Sequence, residues 1–232
     1  MNTPDTPAAP SVPTRVWDLP VRLFHWALVL LMVALATTGY LKGEWMTWHM
    51  RCGYALLSLV FFRILWGFAG STHARFISFL AGPGKAIQFT KKLLARAPAH
   101  SAGHNPLGGW MVLVLLLALL FQVGTGLFAN DDILFEGPLA ALVSKAWSDR
   151  LTGWHYWNVN FLWALVGTHV AAVLYHWLVM KEDLVAAMFS GVKRLPEEQA
   201  RGAAGRFTSS WVALVLLALS AIAVYLIVQR PF

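Results

Sequence analysis

Eight histidines stand in a chain of 232 residues that is 58% hydrophobic and only 12% charged. Imidazole is the side chain best suited to ligate a transition metal at neutral pH. An ionisable residue inside a membrane span is costly, about 2.5–3.5 kcal/mol at the centre on insertion scales, so it points to function. Four of the histidines, His25, His49, His155 and His169, fall in or at the ends of long apolar runs. His155 and His169 are 14 residues apart. In a helix that spacing falls about 40° short of four full turns, so both imidazoles face nearly one side, separated by about 21 Å along the axis. One such helix could serve two separate metal centres, one near each membrane surface.

The elements that must position these residues are transmembrane helices. A span needs roughly 20 mostly apolar residues, and five runs qualify: Val21–Tyr40, Trp48–Phe68, Leu107–Ala129, Trp154–Met180 and Ser210–Val228. The fourth is long enough to tilt or to project from the bilayer. The mean hydropathy of +0.58 excludes a disordered chain. The low charge argues against an ordinary soluble domain, which carries about 25% charged residues. Unbroken apolar runs argue against a β-barrel, whose strands alternate. The expected fold is therefore an all-α integral membrane protein, a four-helix transmembrane bundle with a fifth C-terminal transmembrane helix. Residues 1–20, with five prolines, read as a polar Pro-rich cytoplasmic tail. Residues 21–195 form the four-helix domain, and residues 196–232 a linker and the fifth helix. No small-residue cleavage site follows a short apolar core, so the first span reads as an uncleaved anchor. Cys52 is the only cysteine, which leaves no internal disulfide, no CxxC metal site and no covalent CxxCH haem attachment.

Lys and Arg set the orientation. Arg75, Lys85, Lys91, Lys92 and Arg96 follow the second span, and Lys181, Lys193, Arg194, Arg201 and Arg206 follow the fourth. The opposite loops are poor in bases and hold Asp131, Asp132, Glu136 and Asp149. The N-terminus is thus expected in the cytoplasm of a bacterium, with the chain in the inner membrane. The net charge of +7 reflects basic cytoplasmic loops and lipid contact, not nucleic acid. Lys85–Arg96 reads as a basic amphipathic helix on the membrane surface, and Pro138–Trp147 as a short outer helix. No internal repeat is evident.

Depth then pairs the histidines. His25 and His169 lie near the inner surface, His49 and His155 near the outer one. Two cross-helix pairs, one per leaflet, suit two b-type haems, each iron held by two imidazoles from facing helices. Polar helix packing, or a zinc or copper ion at one pair, is the alternative. His176, seven residues after His169, rivals it for the inner iron. Gly39, Gly53, Gly124, Gly126 and Gly167 could make room for a flat macrocycle or for close helix contact. Arg63 and Arg22 could meet inner propionates and Arg51 an outer one, or all three could snorkel to phosphate headgroups. His73, His100 and His104 read as surface residues of the basic loop, or as neighbours of a quinone or a propionate.

The chain resembles the prokaryotic cytochrome b561 family, in particular the di-haem b-type subunit of nickel–iron hydrogenases. The resemblance rests on VRLFHW at Val21–Trp26, on His49–Gly67 with RILWG at its end, and on HARF at His73–Phe76. It continues through GHNPLGG at Gly103–Gly109, GTGLF at Gly124–Phe128, and THVAAV at Thr168–Val173 running on to Leu184–Gly191. It implies a four-helix bundle with haem ligands His25 and His169 on one side, His49 and His155 on the other. It also implies electron transfer between a periplasmic redox protein, a hydrogenase or a c-type cytochrome, and the quinone pool. Tyr156 stands where many relatives carry an acidic residue after the first histidine of the fourth helix. Two other function classes fit the same sequence. One is a self-contained membrane oxidoreductase, a superoxide oxidase or small-substrate reductase. The other is a non-redox membrane anchor, in which the chain would bind no haem.

Overall fold

The computed structural model describes residues 11–95, 101–203 and 205–229. Strand β1 (Ser11–Arg15) leads into helix α1 (Leu19–Leu41), and a 3-10 turn joins α1 to α2 (Met46–Ala69). Short helices α3 (Phe76–Phe79) and α4 (Pro83–Leu94) precede α5 (Pro106–Gly126) and the long α6 (Lys145–Leu178). Then come α7 (Leu184–Ser190), strand β2 (Val192–Pro196), α8 (Glu197–Gly202) and α9 (Ser210–Val228). Helices α1, α2, α5, α6 and α9 are long and apolar enough to cross a membrane. These are the five expected spans.

Part of the segment expected as a polar tail, Ser11–Arg15, forms a strand. This strand pairs antiparallel with β2, from Ser11 against Pro196 to Arg15 against Val192. Pro13 forbids a helix there, and Val12 and Thr14 favour the extended chain. The partner strand lies far along the sequence, so local composition could not reveal it. Val16 and Trp17, next in line, are only 1% and 6% exposed. Asp18 then starts α1: its carboxylate accepts the backbone N–H of Val21 at 2.8 Å, and its second oxygen accepts the indole N–H of Trp66 at 3.1 Å. Pro20 occupies the first turn, where its missing N–H costs nothing.

The short outer helix expected over Pro138–Trp147 does not form as one element. A 3-10 turn spans Ala140–Leu142, and the rest of the segment enters α6, whose N-cap is Ser144. The helix therefore begins nine residues before the expected Trp154. Its first turns are polar, and its 34 residues extend about 51 Å against a hydrocarbon core of about 30 Å, so one end projects. The basic amphipathic helix expected over Lys85–Arg96 is α4; Arg96 and His100 lie outside the described residues.

Close packing joins α1 to α2, α2 to α5 and α9, and α5 to α6, while α6 stands off from α1 and α2. One buried cluster, with Leu56, Leu57, Val60, Leu119, Leu162 and Val224, fills the middle of the bundle. A second, with Val16, Trp17, Phe24, Phe62, Trp66 and Leu195, ties the strand pair to the basic end of α1 and α2.

Replacing Asp18 by Ala removes a helix cap and strands the Trp66 N–H. The expected loss is about 1–2 kcal/mol of stability, read as a lower midpoint of thermal unfolding in detergent.

Candidate functional site

At the acidic end, His49 in the first turn of α2 faces His155 of α6, with ring centroids 6.2 Å apart. Each Nδ1 turns back to a helix carbonyl: His49 to Leu35 at 3.0 Å, His155 to Gln122 at 2.9 Å. Each also meets a threonine hydroxyl at 3.3 Å, Thr38 for His49 and Thr125 for His155. A carbonyl can only accept, so Nδ1 carries the proton and Nε2 keeps its lone pair for a metal. Both histidines line a cavity of about 370 Å³ that also takes in Gly53 and Tyr54 of α2, Val123 of α5 and Trp163 of α6. A Cβ added at Gly39 would lie 3.1 Å from the His49 ring, and one at Gly126 3.0 Å from the His155 ring. These glycines make room for the imidazoles themselves. Gly53, Gly124 and Gly167 have open space beside them.

At the basic end, His25 of α1 faces His169 of α6 at 6.4 Å between centroids. Nδ1 of His25 is buried without a partner. Arg63 of α2 is 3% exposed, lies over the rings of Phe76 and Phe79, and has Nη1 unpaired. Arg22 donates to the carbonyl of Phe189 and leaves its Nε buried and unpaired. Arg51, at the other end, is exposed and lies over Trp48.

A single metal fits between the rings of either pair. An imidazole nitrogen lies about 1.2 Å from its ring centre, and a metal–imidazole bond is about 2.0 Å, so two rings on opposite sides of one metal sit about 6.4 Å apart. The two observed separations match that span. Among the described residues no three His, Cys, Asp or Glu side chains converge, so neither pair has the further ligands of a closed zinc site. A macrocycle supplies four equatorial ligands itself and needs two imidazoles only. The stand-off of α6 from α1 and α2 leaves the gap that such a plate requires.

His176 is not in this arrangement. It is 5% exposed, its Nδ1 donates to Glu182 at 3.0 Å, and its Nε2 accepts from Asn105 at 3.3 Å. Both ring nitrogens are committed. Lys193 of β2 completes the cluster, 2.6 Å from Glu182 and 2.9 Å from the carbonyl of Ser101. Burial works against the charge on Glu182, but the hydrogen bond from His176 and the Lys193 ammonium outweigh it and hold the carboxyl down at about 2. Two loop histidines expected at the surface are half-buried instead. His73 bonds the carbonyl of Ala203 at 3.1 Å. His104 packs on Trp17 and Phe79. Burial, then the charges of Arg63, Lys193, His73 and His169, push its pKa down to about 3, so it is neutral. The loop folds back under α1 and α2, which an isolated reading of its polarity could not reveal.

Sequence reasoning missed Thr38, Thr125, Gln122 and Asn158. Asn158 donates to the Gln122 side chain at 2.8 Å and to the carbonyl of Ala118 at 3.0 Å, locking α6 on α5 beside His155. For the two threonines the signal was present as Thr38-Gly39 and Thr125-Gly126, each at the C-terminal end of an apolar run.

The family model for prokaryotic cytochrome b561 matches residues 16–191. A probable Ni/Fe-hydrogenase B-type cytochrome subunit of Azotobacter vinelandii is 30% identical, with 74% of this chain and 82% of that protein covered. The corresponding protein of Azotobacter chroococcum mcd 1 is 29% identical over the same shares. A probable Ni/Fe-hydrogenase 1 B-type cytochrome subunit of Escherichia coli K12 is 25% identical, covering 77% of this chain and 89% of that protein. No solved structure gives a significant match.

Gly39→Ala or Gly126→Ala pushes a methyl group toward an imidazole, so total haem content measured by pyridine haemochrome should fall. Glu182→Gln should destabilise the protein above pH 4.5, the ordinary value of the carboxyl. The depressed folded-state pKa means that the difference from wild type shrinks as pH falls from there toward about 2, as acid titration of unfolding checks.

Proposed function

Because the chain belongs to the prokaryotic cytochrome b561 family and is a membrane b-type cytochrome, we propose that it is a di-haem conduit. In this reading it carries electrons across the bacterial inner membrane between a periplasmic redox protein and the quinone pool. The observation that carries the reading is the pair of ring separations, 6.2 and 6.4 Å, at two depths of one bundle. His25 and His169 hold one haem b, His49 and His155 the other. Bound haem would supply reversible one-electron carriage, and the four imidazoles would hold it.

The chain's own groups do the rest. His155 and His169 on one rigid helix fix the spacing of the two centres at about 21 Å along its axis. The buried guanidinium of Arg63, with Nη1 unpaired, is a ready partner for a propionate carboxylate of the inner haem. Arg22 flanks the same end, and Arg51 serves the outer haem. Gly53 keeps the wall of the outer cavity flat.

The basic end, with Arg75, Lys85, Lys91, Lys92 and Lys193, faces the cytoplasm. The end with Asp131, Asp132 and Glu136 then faces the periplasm and the electron donor. The relatives bear the name of nickel–iron hydrogenase subunits, so the donor we propose is a hydrogenase.

Reduced-minus-oxidised spectra with haem quantification test this. Wild type should hold two haems per chain, and Ala at His25, His49, His155 or His169 should remove one. His176→Ala should keep both. One haem in wild type, or loss of haem in His176→Ala with retention in His169→Ala, overturns the assignment.

A further inference from the structure

The two histidines at the acidic end are held by the same device used twice. On α1, Thr38 donates its hydroxyl to the carbonyl of Ala34, four residues back, at 2.7 Å. On α5, Thr125 donates to the carbonyl of Phe121, again four residues back, at 2.9 Å. With its proton spent on the helix, each hydroxyl can only accept from the imidazole, and each does so at 3.3 Å. The carbonyl sharing the same imidazole N–H comes in both cases three residues before the threonine, Leu35 and Gln122. The residue after each threonine is the glycine that the imidazole rests against. The helix pairs α1–α2 and α5–α6 thus present their histidines in one register, and share Thr-Gly on the first helix and Trp-His on the second.

The basic end has no counterpart. Nδ1 of His25 is buried with no partner, and His169 makes no hydrogen bond among the described residues. A ligand imidazole whose outer N–H is hydrogen-bonded is a stronger base toward the metal and favours its more oxidised state. The surrounding charges add to this contrast. Asp131, Glu136 and Lys42 line the outer cavity, a net negative set, while Arg63 is buried at the basic end.

We propose that Thr38 and Thr125 are matched positioning residues that lock the imidazoles of His49 and His155 with Nε2 toward the metal and hold the outer haem at a lower potential than the inner one. The inference rests on the di-haem reading above. The two threonines touch neither haem nor electron partner and act through the histidines.

The test is an optical redox titration of the purified full chain. His25→Ala, which retains only the outer haem in this reading, assigns the two potentials. In wild type the outer haem should titrate below the inner one. Thr38→Val and Thr125→Val keep the side-chain shape and lose the hydroxyl. Each should shift the outer haem toward the reduced form, by about twofold in the reduced-to-oxidised ratio at a fixed ambient potential, the low end for one neutral hydrogen bond because the carbonyl keeps its shorter share of the N–H. The inner potential should stay in place, and Ser at either position should restore the wild-type value. Thr37→Val, on the exposed side of α1, is the control and should move neither potential. Loss of the outer haem in the Val variants with retention in the Ser variants also supports the proposal. Unchanged potentials in haem-replete Val variants, an outer haem above the inner one in wild type, an equal shift of both haems, or haem loss in the Ser variants overturns it. A wild type with only one haem defeats the di-haem reading itself, which separates the two failures.

Discussion

Two pairs of imidazoles, His49 with His155 and His25 with His169, stand 6.2 and 6.4 Å apart between ring centres on separate helices, close to the separation of about 6.4 Å that sets two rings on opposite sides of one metal. The packing of the bundle around them keeps that separation. Helix α6 leans on α5 and stands away from α1 and α2, so the histidines it carries face those of α1 and α2 across a gap and not across a close-packed interface. Asn158, donating to Gln122 and to the carbonyl of Ala118, fastens α6 to α5 at the level of His155. Without such a tie, dispersion forces would favour closing the gap, since protein interiors pack densely.

The two ends of the bundle solve different problems. At the acidic end the histidines are fixed from behind by backbone carbonyls and threonine hydroxyls, all supplied by helix ends that the membrane span already orders. At the basic end the chain itself makes the floor. Strands β1 and β2, the loop bearing His73 and His104, and the ion cluster of Glu182, Lys193 and His176 lie together under α1 and α6. Buried ionic groups of this kind add little stability when compared with apolar replacements, but removing one partner is costly. Their contribution here is to hold segments distant in sequence, around residues 105, 176, 182 and 193, in one arrangement.

Much of the fold was legible in the amino-acid order because the bilayer permits so few solutions. Five apolar runs must be five helices, since a lipid-exposed backbone has no other way to pair its polar groups. The helical period and rise then place His155 and His169 on one face, two leaflets apart. The short outer helix expected over Pro138–Trp147 dissolved into a turn and the start of α6, because Ser144 offers a cap that hydropathy does not register. The tail expected over residues 1–20 was read from its prolines, yet from Ser11 it finds a strand partner about 180 residues away.

The order of residues alone determined the five spans and the place of each imidazole along its helix, because apolar period and helical rise are local properties. Tertiary structure decided which nitrogen His49 and His155 turn back to a helix carbonyl, that His176 is locked to Glu182 and Asn105, and that His104 is sheltered beneath α1. Those choices depend on carbonyls, hydroxyls and charges brought in from other helices, and contacts of that range are set by packing in three dimensions, not by neighbours along the chain.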